Sequence, residues 1–135
     1  VDDEKDFVEA LGERMENRGM NVTTTTSATD AIARVTAESY DAVVLDLQMP
    51  EMDGLQVLKA IKEIKPEMQI ILLTGYATVE KGIEAIKMGA MDLIEKPADI
   101  EMITEKIKKA QARKMILVEK KTEEKIKKIL SSKGW

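Results

Sequence analysis

YDAVVLDLQMPEMDG, residues 40–54, is the stretch that decides the fold of this 135-residue chain. Ala42, Val43, Val44 and Leu45 form an uninterrupted apolar run, rich in Val, that ends at a carboxylate, Asp46. Such a run fits a strand buried on both faces, as in a parallel sheet covered by helices. Sheets of that kind carry their chemistry where the strands end, and Asp46 stands at that end. Pro50 punctuates the loop that follows. Asp53 and Gln56 then have the spacing of a capping box, so a helix is expected from Gly54.

Moving outward, the same design recurs. Gln69 to Leu73 is a second apolar run, ending at Thr74-Gly75, and Met91 to Glu95 is a shorter one leading into Lys96-Pro97. Helices fill the intervals. Phe7, Val8, Leu11 and Met15 repeat at helical spacing before a stop at Gly19. Ser27 and Asp30 open a second helix, Leu55, Leu58, Ile61 and Ile64 line a third that Pro66 closes, and Val79, Ile83 and Ile86 line a fourth that ends at Gly89. Met20 to Thr26 is β-branched and reads as a strand. Strand and helix alternate, which predicts a doubly wound parallel α/β sheet with right-handed crossovers. From Ile100 the apolar positions advance with the helical period of about 3.6, so one long helix is expected to finish the chain.

Composition narrows the chemistry. The chain has no Cys and no His, which removes disulfides, thiolate or imidazole catalysis, phosphohistidine and Cys/His metal sites. Neither GxGxxG nor GxxxxGK[ST] is present. No apolar run reaches the roughly 20 residues of a membrane span and no leader pattern is visible, so a cytoplasmic protein is expected. The net charge of −4 is divided unevenly: residues 1–105 hold 10 Lys/Arg against 22 Asp/Glu, whereas residues 106–135 hold 11 against 3. An acidic body thus carries a basic tail. A solvated basic helix whose apolar stripe packs on the body or on a twin is the plain reading of that tail. Nucleic acid is not the expected partner, since Trp135 is its single aromatic residue.

The strand ends bring Asp2, Asp3, Asp46, Thr74 and Lys96 toward one edge of the sheet. Three carboxylates in one pocket repel unless a cation compensates, and a hard divalent ion such as Mg²⁺ suits oxygen ligands. A Lys and a Thr hydroxyl facing that ion would fit the oxygens of a phosphoryl group, with Asp46 as the nucleophile. Tyr76 and the nine Met residues read as packing.

With these residues in place, the chain resembles the response-regulator receiver domain of two-component signalling (CheY-like). The motifs that carry the resemblance are VDDE at 1–4, DLQMPEMDG at 46–54, LLTGYA at 72–77 and EKP at 95–97. It covers residues 1–110 as a receiver and leaves 111–135 as a basic helical extension. The resemblance implies the flavodoxin-like sheet order 2-1-3-4-5. It also implies a phosphoryl group accepted by Asp46 from a histidine kinase or phosphotransfer protein and later lost by hydrolysis, not enzymatic turnover of a substrate. Asp3 and Asp46 would bind Mg²⁺, Asp2 would assist through water, and the Gln48 carbonyl would be a further ligand. Thr74 and Lys96 would hold the phosphoryl group, with a cis bond from Lys96 to Pro97. Output would pass through the fourth helix, last strand and fifth helix, with the tail as output element or dimer contact.

Two features depart from that pattern. The family's switch aromatic, three residues before the Lys, is Leu93 here, which predicts weaker or different switching. The family also places an apolar strand of about five residues before the acidic pair, whereas only Val1 stands there. That strand is central, and its loss would expose two ladders of backbone groups. Either the sequence in hand is shortened, or Lys114-Met115-Ile116-Leu117-Val118, followed by Glu119, supplies a replacement strand within one chain or by exchange between two. Two other functional classes compete. One is a phosphorylation-independent pseudo-receiver that serves as a dimerisation module. The other is an aspartate-nucleophile phosphatase, which is disfavoured because Gln48 stands where that chemistry needs an acid.

Overall fold

The computed structural model describes residues 1–75 and 79–132. Tyr76 and Trp135, and the part of the LLTGYA motif beyond Gly75, lie outside the described residues. Five helices, α1 (Lys5–Glu16), α2 (Ala28–Ala37), α3 (Gly54–Ile64), α4 (Val79–Lys87) and α5 (Ile100–Ser132), accompany three strands. The strands β1 (Ala42–Asp46), β2 (Gln69–Thr74) and β3 (Asp92–Glu95) form one parallel sheet in chain order.

β2 is central and buried along its whole length, as its six-residue run QIILLT requires. Its side chains alternate between two cores, as strand geometry dictates. Ile70 and Leu72 join Leu45, Val57, Leu58 and Ile61 on the face covered by α2 and α3. Ile71 and Leu73 join Ile94, Ile103 and Ala110 on the face covered by α5, with Phe7 and Leu11 of α1 alongside. Each of these large side chains contributes roughly 1.5–3 kcal/mol through the apolar surface it removes from water. The register pairs Asp46 with Leu73 and Thr74 with Glu95, so the three strands end together. Asp46, Thr74 and Lys96 therefore share one edge.

The helix starts follow their sequence signals. The Ser27 side chain accepts from the Asp30 N–H, and Asp53 and Gln56 form the reciprocal capping box. At Gly54 the backbone of α3 approaches Leu47 so closely that an added Cβ would lie 2.6 Å from the Leu47 Cα. No other residue type fits there.

The fold is the expected doubly wound parallel one, with three strands among the described residues. Two expectations need correction. Met20 to Thr26 carries no strand, because a strand exists only by pairing, and little backbone is available to pair with it. Val1-Asp2 lies between that segment and β1. The Val1 nitrogen donates to the Val44 carbonyl at 2.7 Å, the Asp46 N–H donates to the Val1 carbonyl at 2.9 Å, and the Asp2 N–H donates to the Thr25 carbonyl at 3.2 Å.

The replacement strand at 114–118 is also overturned: α5 runs unbroken through it for 33 residues. Lys114 instead fastens α5 to the opposite edge of the sheet, donating to the Tyr40 carbonyl at 2.6 Å and to Ser39 Oγ at 3.1 Å. Beyond that clasp Met115, Ile116, Val118, Ile126 and Ile129 are exposed. Among the described residues, no helix is long and apolar enough to cross a membrane.

Candidate functional site

Each functional side chain arrives on a different element. Asp46 is the last residue of β1, and Thr74 the last of β2. Lys96 follows β3 directly and precedes Pro97 through a cis peptide bond. Asp2 and Asp3 precede α1, held against β1 by the Val1 hydrogen bonds.

Carboxylate oxygens of Asp2, Asp3 and Asp46 lie within 4.8 Å of one another. Asp2 and Asp46 are buried and Asp3 is exposed, so the cluster opens to solvent on one side. The Lys96 Nζ sits 2.9 Å from Asp2 Oδ2 and 3.6 Å from Asp46 Oδ2. It also lies 4.6 Å from the centre of the Phe7 ring, within reach of a cation–π contact. Burial pushes the Asp46 carboxyl above its ordinary pKa, and the negative charges of Asp2 and Asp3 add to the rise. The Gln48 N–H, 3.2 Å from Asp46 Oδ1, and the Lys96 ammonium offset part of it. Burial works against the Lys96 ammonium, but its hydrogen bond to Asp2 and the charge of Asp46 hold its pKa above the usual value.

Three acids against one ammonium leave a net negative niche of hard oxygen donors, and that donor set fits a divalent cation such as Mg²⁺. Thr74 is fully buried, with its hydroxyl donating to the Gly75 carbonyl at 3.0 Å. Gln48 is exposed, tied to the site by its backbone.

A family model described as response regulator receiver domain matches residues 1–108. The chain belongs to that family. Its receiver is similar to those of curated regulators. It is 38% identical over 112 residues to the transcriptional regulatory protein ZraR of Salmonella typhimurium, covering 83% of this chain and 25% of that protein. It is 41% identical over 106 residues to the photosynthetic apparatus regulatory protein RegA of Rhodobacter capsulatus, covering 77% of this chain and 56% of that protein. The chain thus spans a quarter to about half the length of these relatives. Among solved structures, a response regulator receiver domain protein from Clostridium thermocellum superposes with a TM-score of 0.83 at 33% identity, covering 86% of this chain and 94% of that one. As a receiver of two-component response regulators, the chain has a phosphorylation-based signalling role, and its relatives are named as regulators.

The structure brings Asp2, Asp3, Asp46 and Lys96 together. It adds two contacts the sequence did not foretell, the direct Lys96–Asp2 pair and the Phe7 ring beneath the ammonium. No signal separates Phe7 from an ordinary apolar position of α1, because its helical spacing serves the core as well.

Leu93 departs from the receiver's aromatic switch in a structurally specific way. Its two methyl carbons rest against Gly82 of α4, where an added Cβ would come within 2.8 Å of either. A branched side chain seated in a glycine notch has little room to swing. Backbone chemical-shift changes on adding beryllofluoride are therefore expected to be smaller in the wild type than in Leu93→Tyr. Equal changes in the two proteins, by NMR, would contradict this.

Proposed function

We propose that this receiver accepts a phosphoryl group on Asp46 in a Mg²⁺-dependent reaction, from the phosphohistidine of a sensor kinase or phosphotransfer protein. The observation that carries the reading is the trio of carboxylates within 4.8 Å, two of them faced by Lys96. Asp3, Asp46 and the Gln48 carbonyl would hold the ion, with Asp2 assisting. Bound Mg²⁺ supplies the positive charge that lets an anionic phosphoryl group enter an acidic niche.

In the transfer, an Asp46 carboxylate oxygen forms a bond to phosphorus as the P–N bond to imidazole breaks, and the departing imidazole takes a proton. Lys96, already 3.6 Å from Asp46 Oδ2, needs only a small movement from Asp2 to reach a phosphoryl oxygen. The Thr74 hydroxyl would turn from Gly75 to bond another. Hydrolysis of the acyl phosphate later returns Asp46 to the carboxylate.

Output is assigned to the face formed by α4, β3 and α5. Residues 111–135 act as the output extension, and their exposed apolar positions serve as a homodimer contact. The reading stays with signalling, since Gln48 has no proton to give a phosphatase reaction.

Acetyl phosphate tests the proposal directly. With Mg²⁺ present, intact mass should show one added phosphoryl group, and EDTA should prevent it. Mg²⁺ alone, at about 100 times its Kd, should also stabilise the fold by about 2.7 kcal/mol. A chain that stays unlabelled with Mg²⁺ and acetyl phosphate is a constitutive module instead.

A further inference from the structure

The Lys96 ammonium has neighbours of two kinds. Asp2 Oδ2 at 2.9 Å and Asp46 Oδ2 at 3.6 Å are carboxylates of the acidic niche. The Phe7 ring, over which the ammonium sits at 4.6 Å from the ring centre, carries neither charge nor a hydrogen-bonding group. Its contact with a charged group at the niche calls for a separate account.

A lysine ends in a compact charge on a flexible four-carbon stem. The Lys96 N–H donates to the Thr74 carbonyl at 2.8 Å, which fixes its backbone but not that stem. Its hydrogen bond to Asp2 holds the ammonium in one place and is lost when it moves. A ring face acts differently. Its negative quadrupole attracts a cation anywhere within about 6 Å of the ring centre, so the ammonium can slide across it without letting go. A further carboxylate beneath the lysine would add repulsion to a niche that already holds three acids, whereas the ring adds no charge.

The ring is itself held firmly. Phe7 stands in the first turn of α1 and packs against the cluster of Ile71, Leu73, Ile94 and Ile103. Packing alone needs only an apolar side chain, and Leu11, one turn further along α1, meets the same cluster without a ring. What Phe7 adds is its face.

We infer that Phe7 is a positioning residue for phosphoryl transfer: its ring keeps the Lys96 ammonium beside Asp46 while the ammonium exchanges Asp2 for a phosphoryl oxygen. The inference rests on the reading of Asp46 as phosphoacceptor. A lysine oriented in advance need not be gathered in as the transition state forms, and that saving appears in the rate.

Phe7 is the single Phe of the chain, so growth on fluorinated phenylalanine alters this ring alone. Fluorine withdraws charge from the ring face while barely changing its shape. With Mg²⁺ and acetyl phosphate, labelling should slow stepwise from the wild type to the monofluorinated and then the difluorinated chain. Phe7→Leu should label about fivefold more slowly, the rate equivalent of a partly screened cation–π contact. Phe7→Tyr, which keeps the ring, should label close to the wild-type rate. By NMR, the Lys96 Hε protons should lie upfield in the wild type and return toward ordinary lysine positions in Phe7→Leu. Thermal melts show whether each variant stays folded; if Phe7→Leu does not, the fluorinated chains decide. Equal labelling rates in the wild type, Phe7→Leu and the fluorinated chains overturn the inference. So does a loss in Phe7→Leu that fluorination fails to reproduce, which would reduce the ring to packing. A wild type that takes no label overturns the Asp46 reading and this inference with it, so the two failures are told apart.

Discussion

Asp46→Asn is expected to abolish Mg²⁺-dependent phosphoryl incorporation while leaving the receiver folded and, at neutral pH, more stable than the wild type. The first half follows from chemistry: an amide is a poor nucleophile, and no other carboxylate in the niche has both neighbours of Asp46, the Gln48 N–H and the Lys96 ammonium. The second half follows from burial. Desolvation raises the Asp46 pKa above its unfolded value, so the native state holds the proton more tightly than the unfolded chain does. Stability from that proton is present at acid pH and is lost as pH rises through the folded pKa. Above that point the ionised carboxylate destabilises the fold, and Asn removes the cost. The gain should be about 1 kcal/mol, in line with other relieved functional sites. It should shrink as pH falls toward about 4, the ordinary carboxylate range. Persistent labelling of Asp46→Asn at the wild-type rate would move the acceptor elsewhere. Lower stability than the wild type at pH 7 would refute the electrostatic account.

Gly54→Ala should be the most damaging small substitution in the chain. The new methyl would meet the backbone of Leu47: its Cα at 2.6 Å, its carbonyl oxygen at 2.8 Å and its carbonyl carbon at 3.0 Å. Backbone cannot rotate aside as a side-chain tip can, so the loop or the start of α3 must shift. Alanine's better helix propensity returns at most about 1 kcal/mol. Overpacking of this kind costs about 3 kcal/mol, a fall in Tm on the order of 10 °C for a domain of this size. Leu47 stands between Asp46 and Gln48, so the shift also reaches the site, and Mg²⁺ should stabilise Gly54→Ala less than the wild type. Calorimetry with and without Mg²⁺ reads both effects; a Tm within 2 °C of the wild type would show that the close approach is dispensable.

Local signals made much of this legible in the sequence. Uninterrupted apolar runs ending in Asp46 and Thr74 gave away the buried parallel strands, because only strands covered on both faces dispense with polar alternation. Ser27 and Asp53 marked helix starts through their own backbone bonding. Asp46, Thr74 and Lys96 were readable as neighbours because parallel strands end together, whereas Asp2 and Asp3 reach them through the Val1 hydrogen bonds to β1. Met20 to Thr26 misled for a physical reason: β-branched residues report a preference for a pleated surface, but strand formation needs a neighbouring backbone. Lys114 to Val118 offered two readings: its apolar run resembled a strand, while its neighbours on either side kept the helical period. The helix expected from that period is the one that forms. Phe7 under Lys96 and Gly82 under Leu93 were out of reach, since both depend on how separate elements meet.

The reach of α5 gives the molecule a lever. Lys114 makes its last hydrogen bonds to the body, and the 33-residue helix continues to Ser132, touched beyond that point by the ion pair of the exposed Lys121 with Glu67. At 1.5 Å per residue the arm beyond Lys114 is about 27 Å long. A tilt of about 10° at its root would sweep the tip through about 5 Å by that geometry. Movements too slight to detect beside the acidic niche could therefore be read as displacement by whatever grips the far end.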